Sequence, residues 1–435
     1  MAFSSLQLHP SLHRGIEDLG FTRPTPIQTE AIPPGLAGQD VLASAVTGSG
    51  KTAAFLLPIM HQMLSNPRRG TRALILTPTR ELAAQILESL QDLGKHTQIS
   101  AAAIFGGVGM GPQEAAFRRK VDFLIATPGR LLDHLQYDYA KLDTIEHFVL
   151  DEADRMLDMG FLPDVKRIIR RLPAKRQTLF FSATMPSEIV SLTRDLLKSP
   201  VRVQLQRQSA PATGITQAVY PVPQELKSNL LVALLKRGDL NEALVFTRTK
   251  HRADQLTKSL VKAGIAAERI HGNRSQPQRT AALAGFKAGK FRVLVATDIA
   301  ARGIDVEALG HVVNFDVPAV PEDYIHRVGR TARAEATGEA FTFVSREEEG
   351  DLRAIERAVG KQIPRVTVPD FDYKAKAEGQ LEVPLAERIK AIRAKKAEDR
   401  ARAKVNADRR ASISARPASP QASRPTRSRR GHRGS

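Results

Sequence analysis

AVTGSGKT, residues 45–52, decides how the rest of the chain is read. A phosphate-binding loop is usually spelled G-x-x-x-x-G-K-[ST], and here Ala45 stands where the first glycine belongs. Such a loop turns successive backbone N–H groups toward phosphate, with a helix N-terminus behind them. Gly48 and Gly50 permit that turn, Lys51 can reach the β- and γ-phosphates, and the Thr52 hydroxyl can ligate Mg²⁺. Ala45 costs little if its φ stays negative, because its side chain is a single methyl. The run that follows, AAFLLPIM (53–60), begins the required helix, with Pro58 expected to kink or interrupt it.

Short apolar stretches recur on both sides of this loop with helical patterns between them. ALILT (73–77), DFLIAT (122–127), HFVLDE (147–152) and TLFFSAT (178–184) form one series, and ALVFTRT (243–249), RVLVATD (292–298) and HVVNFDV (311–317) form a second. Near-continuous apolar strands alternating with helices indicate parallel sheets covered on both faces. Two series imply two α/β domains, divided near QRQSAPATGITQ (206–217), which is polar and lacks a periodic apolar face.

VLDEAD (149–154) supports the nucleotide reading, since it is an apolar strand ending in two carboxylates. Asp151 would hold Mg²⁺, directly or through water, and Glu152 could polarise the attacking water. An isolated Asp-Glu pair would be a solvated turn; about 100 residues after a phosphate loop it reads as the metal and base side of the same site.

Composition narrows the partners. No run approaches the ~18 apolar residues a membrane span needs. The N-terminus lacks a basic start followed by an apolar core, so a secretory signal is not expected. The chain has no cysteine, which removes disulfides, thiolate metal sites and cysteine nucleophiles and suits a cytoplasmic protein. The net charge of +19 favours a polyanion, nucleic acid before membrane. Residues 391–435 hold 14 Lys+Arg against 3 Asp+Glu, an excess of +11, leaving +8 for the other 390 residues. That end is Pro-, Ser- and Arg-rich, has no aromatic residue, and is expected to be disordered.

The phosphate loop and the Asp-Glu-Ala-Asp run together resemble a DEAD-box ATP-dependent RNA helicase, from Phe3 to about Pro369. In that family the first loop position is commonly Ala, so Ala45, Val46, Thr47, Gly48, Ser49, Gly50, Lys51 and Thr52 fit it better than the general pattern. GFTRPTPIQ (20–28) is similar to the family's Q motif, with Phe3 as the isolated upstream aromatic. By that resemblance Gln28 reads the adenine edge while Phe21 and Arg23 pack near the base. An amide can donate and accept at once, as that edge requires. YIHRVGRTAR (324–333) resembles motif VI and implies that Arg327 and Arg330 reach the γ-phosphate as arginine fingers, with His326 beside them. Ala332 and Ala334 depart from the glycines many members carry there. ATDIAARGIDV (296–306) resembles motif V, implying nucleotide contacts from Gly303 and Asp305, the latter at the ribose, and an interdomain role for Arg302. Ser182 and Thr184 of SAT match motif III, which couples the DEAD strand to domain closure.

The same resemblance implies an RNA-facing set. PTREL supplies Pro78, Thr79 and Arg80; Gly106 and Gly107 follow; TPGR supplies Thr127, Pro128, Gly129 and Arg130. The second domain adds Gly272, Gln276 and Arg279 from HGNRSQPQR (271–279), with VFTRT (245–249) resembling the weaker motif IV. Glycine backbone, helix N-termini and arginine suit sugar–phosphate contacts without base readout. The expected fold is thus α/β: two tandem RecA-like parallel-sheet domains and a disordered basic C-terminal tail. The expected boundaries are a Q-motif region at 1–30, an ATP-binding domain at 31–205, a linker at 206–222, a second domain at 223–369 and the tail at 370–435. Residues 346–373 and the tail resemble the bacterial RhlE-like subgroup. ATP and Mg²⁺ are the implied cofactors. RNA, as single strand or short duplex, is the implied partner, in the setting of ribosomal precursors or the RNA-degradation machinery. Two rivals stand beside this reading. A DNA translocase is disfavoured by the Q motif with D-E-A-D, and an RNA-binding scaffold with a vestigial ATPase by the full set Lys51, Asp151, Glu152 and Arg330.

Overall fold

The computed structural model describes residues 2–44, 49–204, 215–301, 309–331 and 338–375. The first sheet contains β1 (Val41–Ser44), β2 (Ala73–Leu76), β3 (Ala101–Ile104), β4 (Phe123–Ala126), β5 (His147–Leu150), β6 (Gln177–Ser182) and β7 (Val201–Gln204). Its order is β3-β4-β2-β5-β6-β1-β7, and every pairing is parallel. Helices flank it: α1 (Pro10–Asp18), α2 (Pro26–Leu36), α3 (Lys51–Ser65), α4 (Arg80–Leu93), α5 (Gly111–Arg119), α6 (Pro128–His134), α7 (Ala153–Asp158), α8 (Leu162–Ile169) and α9 (Ser187–Leu196).

Strand alternation divides the core in two. Ala73 and Ile75 join a cluster with Phe55, Ile59 and Ile86, on the face covered by α1 to α4. Leu74 and Leu76 point the other way, to Leu131, Ile168 and Leu192, on the face covered by α5 to α9. Both faces are dry, which is why β2, β4 and β5 read as unbroken apolar runs.

The second sheet contains β8 (Ile215–Pro221), β9 (Ala243–Phe246), β10 (Ala267–Ile270), β11 (Val293–Ala296), β12 (His311–Asn314) and β13 (Gly338–Val344). It is also parallel, in the order β10-β11-β9-β12-β13-β8. Its helices are α10 (Lys227–Arg237), α11 (Lys250–Lys262), α12 (Gln276–Lys287), α13 (Asp298–Ala301), α14 (Pro321–Val328) and α15 (Glu349–Val359). The motif residues follow the C-terminal ends of their strands: Pro78 after β2, Thr127 after β4, Asp151 after β5, and His271 after β10. Open parallel sheets bind ligands along that edge.

Three expectations are corrected. Residues 215–221, assigned to the linker, form β8 and pair along their whole length with β13. Thr216 and Gln217 hid the strand, because the outermost strand of a sheet tolerates polar residues at its start. Pro58 does not interrupt α3, which continues to Ser65; the ring packs against α2, where a Cβ on Gly35 would meet Pro58 Cγ at 2.9 Å. The ordered core also runs past 369: the Val368 N–H donates to the Tyr373 hydroxyl at 2.9 Å, and the rings of Phe371 and Tyr373 lie 4.8 Å apart. The remainder of the expected tail, 376–435, lies outside the described residues.

Candidate active site

The Q-motif region is bolted to the phosphate loop by side chains. Gln28 Oε1 accepts from the Thr25 N–H at 2.9 Å, and Gln28 Nε2 donates to the Gly50 carbonyl at 3.1 Å. Thr25 Oγ1 donates to the Ser49 carbonyl at 2.7 Å. Gly50 has φ +91°, and a Cβ there would fall 2.6 Å from Gln28 Nε2, so only glycine fits. Phe3 is buried and stacks beneath the half-exposed Phe21 with centroids 6.4 Å apart, while Arg23 is exposed. Ala45, Val46, Thr47 and Gly48 lie outside the described residues.

Lys51 opens α3, and its Nζ lies 3.8 Å from Asp151 Oδ1. Both atoms are buried without a hydrogen-bond partner among the described residues. A buried ammonium and carboxylate left this way are costly unless something else binds them. Burial pushes the Asp151 carboxyl up, against the pull of Lys51. Such a pair fits a phosphate on the lysine side and a divalent cation on the carboxylate side, with Thr52 next to Lys51. Glu152 is buried at φ +53°, a left-handed position uncommon for a non-glycine residue, and Arg155 Nη1 donates to its Oε2 at 2.9 Å.

Asp154 joins this turn to motif III. Its Oδ2 accepts from the N–H groups of Ala183 and Thr184, at 3.1 and 2.8 Å, and from Thr184 Oγ1 at 3.0 Å. Ser182 Oγ accepts from the Asp154 N–H at 3.2 Å and donates to the Thr184 carbonyl at 2.7 Å. Ser182 and Thr184 thus meet the DEAD turn through Asp154.

Across the cleft, Arg155 of the first domain lines one pocket with Asp298, Asp323, His326, Arg327 and Arg330 of the second. Burial, aided by Arg155, pushes His326 down to about 4, so its imidazole is neutral at pH 7. Arg327 does not match the expected finger. Its Nε and Nη2 donate to the two oxygens of Asp298 at 2.6 and 2.7 Å, and Nη1 donates to Asn314 Oδ1 and the Asp316 carbonyl at 3.1 and 2.8 Å. Four of the five guanidinium protons are engaged within domain two. Arg327 therefore locks α13, α14 and β12 together, and Arg330, in the same pocket, is the remaining candidate of the pair. Arg302, Gly303 and Asp305 lie outside the described residues, as do Ala332 and Ala334.

The residues expected to face RNA gather along the same sheet edge. Arg80 lies on the glycine pair: at Gly107, with φ +83°, a Cβ would meet Arg80 Nη1 at 2.0 Å. Arg130 Nη1 donates to the Val108 carbonyl at 3.1 Å, and Gln113 Nε2 donates to the carbonyls of Phe105 and Gly109. PTREL, the glycine pair and TPGR form one surface. Added Cβ atoms at Gly129 and Gly272 would meet nothing within 4 Å, so packing within the chain does not explain those glycines. Gln276 and Arg279, expected on RNA, instead hold Glu81 of the first domain, at 3.1 and 3.0 Å.

Two family models match the chain: "DEAD/DEAH box helicase" over residues 25–192 and "Helicase conserved C-terminal domain" over 226–335. A DEAD-box ATP-dependent RNA helicase CshA of Bacillus licheniformis is 42% identical over 393 residues, 90% of this chain and 80% of that protein. The chain belongs to the DEAD-box helicase family. The CshA helicase of Bacillus subtilis is 40% identical, over 88% of this chain and 77% of that protein. Among solved structures, S. cerevisiae Dbp5 bound to RNA and ADP BeF3 has a TM-score of 0.76 and 31% identity, covering 85% of this chain and 96% of that one. Both sheets of the helicase are accordingly RecA-like.

Sequence reasoning about this helicase passed over Thr25, Glu81, Asp154, Arg155 and Asp298. All but Arg155 stood inside quoted motifs, among them the acidic Glu81, Asp154 and Asp298. An acidic residue within a motif otherwise rich in ligand-facing groups is a signal that a partner must be named for it.

Proposed function

We propose that the chain is an ATP-dependent RNA helicase that hydrolyses ATP when RNA is bound. It would locally separate short duplexes or remodel RNA–protein complexes. The observation that carries this reading is the buried Lys51–Asp151 ion pair, whose facing atoms have no hydrogen-bond partner among the described residues. It adjoins Glu152, whose partner Arg155 shares a pocket with His326 and Arg330 of the other domain. Lys51 and the loop amides would hold phosphate, and Thr52 and Asp151 would hold Mg²⁺. When bound, the ion would neutralise phosphate charge. Glu152 is the group placed to take a proton from the attacking water, and Arg330 the one placed to meet charge building on the γ-phosphate. Gln28 keeps one amide proton and one oxygen lone pair after its two bonds, enough for the adenine edge above Phe21 and Arg23.

Because Asp154 bonds motif III directly, a shift in the DEAD turn moves Ser182 and Thr184 with it. On the RNA side, PTREL, Gly106, Gly107 and TPGR would grip sugar–phosphate. Gln276 and Arg279 act through Glu81 to set the second domain and its Gly272 against the same strand. Among the described residues no helix is long and apolar enough to cross a membrane. A cytoplasmic location, and ribosomal precursors or degrading RNA as substrate, belong to this proposal. So does the RhlE-like subgroup, which rests on residues 346–373 and the tail, whereas the relatives named above are CshA proteins.

The test is steady-state ATP turnover with no nucleic acid, with RNA, and with DNA of the same sequence. Stimulation of about tenfold or more by RNA, and little by DNA, is expected, matching 2′-hydroxyl-sensitive backbone contacts. Equal stimulation by DNA would indicate a translocase, and no turnover in any condition a vestigial ATPase.

A further inference from the structure

We propose that Gln113, backed by His134, is a positioning residue for RNA. It shapes the Gly106–Gly107 loop and sets it against the Thr127–Arg130 turn before a strand arrives. This rests on the reading of those two segments as RNA-facing, and it says what holds them ready.

The loop needs such a device. It links β3 to α5, and Gly107, Val108 and Gly109 are exposed, so it has little packing of its own. Glycine loses more conformational freedom on ordering than any other residue. If RNA had to order the loop, that cost would come off the binding free energy, and a loop already held avoids it. The holding contacts come from α5 and α6. Gln113, in the first turn of α5, is buried, and its Nε2 donates to the Phe105 and Gly109 carbonyls at 3.0 and 3.3 Å, on either side of the glycine pair. Between them, the Val108 carbonyl accepts from Arg130 Nη1 at 3.1 Å.

His134 closes α6, the helix that Pro128, Gly129 and Arg130 open. It is fully buried, and its Nε2 lies 3.3 Å from Gln113 Oε1. The proton positions follow from the partners. Both loop partners of Gln113 are carbonyls, so its amide nitrogen faces them and its oxygen faces His134, which must carry a proton on Nε2. Nδ1 is then an acceptor, and the Tyr139 hydroxyl, 2.9 Å away, donates to it. Burial, aided by Arg130 against Asp133 and Glu114, pushes the imidazole down, and burial pushes the Tyr139 phenol up, so both rings stay neutral. Tyr139 is itself fixed by Tyr137, stacked on it with centroids 5.5 Å apart. The result is a directed chain from Tyr139 through His134 and Gln113 to the loop carbonyls. It joins the helix that bears TPGR to the glycine pair. A glutamine kept only for stability could place its bonds anywhere in the core, whereas both amide protons of Gln113 go to the one loop expected on RNA.

The test measures ATP turnover of the full-length chain against RNA concentration at saturating ATP, beside the denaturation midpoint. Gln113→Met is close in size and makes none of the three bonds. It should raise the RNA concentration for half-maximal turnover about tenfold. Maximal turnover, and ATP affinity at saturating RNA, should stay as in the unsubstituted protein. His134→Leu, which leaves Gln113 Oε1 without its donor, should raise the half-saturating RNA about threefold, and His134→Gln, whose amide can still donate, should restore it. Ile168→Ala lowers the midpoint from the same core but forms no part of the chain of bonds, and should leave the RNA dependence unchanged. Unchanged RNA dependence in Gln113→Met would overturn the proposal. So would an equal rise in Ile168→Ala, which would make the effect one of stability, or a fall in maximal turnover at unchanged half-saturation. His134→Gln behaving like His134→Leu would overturn the part assigned to His134. Absence of RNA stimulation in the unsubstituted protein would instead defeat the RNA reading of the two segments.

Discussion

Lys51 with Asp151, and Arg327 with Asp298, are cation–carboxylate pairs placed at the C-terminal edges of the two sheets. The first is separated by 3.8 Å and, among the described residues, has no hydrogen bond at Lys51 Nζ or Asp151 Oδ1. The second is bidentate, at 2.6 and 2.7 Å, with two further acceptors completing the guanidinium. Both cations are almost fully buried. The difference lies in what each pair still lacks. A lysine is a point charge whose partner can be exchanged, whereas a forked guanidinium with four bonds is a fixture. The first domain keeps its buried charge available to a ligand, and the second uses its own to hold elements in place.

The largest effect tests the ligand side. Glu152→Gln should lower ATP turnover by roughly 10²–10⁴, the range for losing a general base, while nucleotide affinity stays near normal because Lys51, Thr52 and Asp151 are untouched. Retained turnover would remove Glu152 from its role. Next comes the fixture. Arg327→Met leaves Asp298 without its partner and should destabilise the second domain by about 3 kcal/mol, read as a lower denaturation midpoint. Arg330→Met should instead reduce turnover with little change in that midpoint. If the two variants exchanged phenotypes, the comparison would be reversed.

Much of this was legible in the sequence. ALILT, HFVLDE and TLFFSAT read as buried strands because both faces of a parallel sheet are dry, and all seven runs of this kind became strands: β2, β4, β5, β6, β9, β11 and β12. The DEAD turn and the start of α3 at Lys51 could be placed because their chemistry is local, while residues 45–48 of the phosphate loop lie outside the described residues. Arg327 could not be told from Arg330, since its acceptors come from Asp298, Asn314 and Asp316 on separate elements. Glu81 was missed for the same reason: its partners are about 195 residues away. β8 was lost to its polar start, and the interruption expected at Pro58 did not occur, since α3 runs on to Ser65 with the ring packed against Gly35.

Smaller effects sharpen the account of the cleft. Glu81→Gln keeps a hydrogen bond to Gln276 but loses the ion pair with Arg279. It should raise the RNA concentration for half-maximal ATPase by up to about tenfold, with maximal turnover little changed. Unchanged RNA dependence would make the contact incidental. Removing residues 391–435 deletes +11 and no motif. Turnover at saturating RNA should persist, while each lost phosphate contact flattens the salt slope by about 0.7. An unchanged slope would give the tail another role.

The central claim is that two domains grip backbone at one cleft and distort only the nucleotides within its reach. Opening a duplex costs roughly 1.4 kcal/mol per base-pair step, a DNA value taken as a proxy for RNA. One closure can therefore release a short duplex whose remaining pairs melt spontaneously, but not a long one. The direct measurement is ATP-dependent unwinding of RNA duplexes of increasing length with matched 5′ and 3′ overhangs. Unwinding should fall steeply with length and show little preference for overhang polarity, because sugar–phosphate contacts need no threaded end. Unwinding independent of length and strictly polar would contradict the account and indicate a processive translocase.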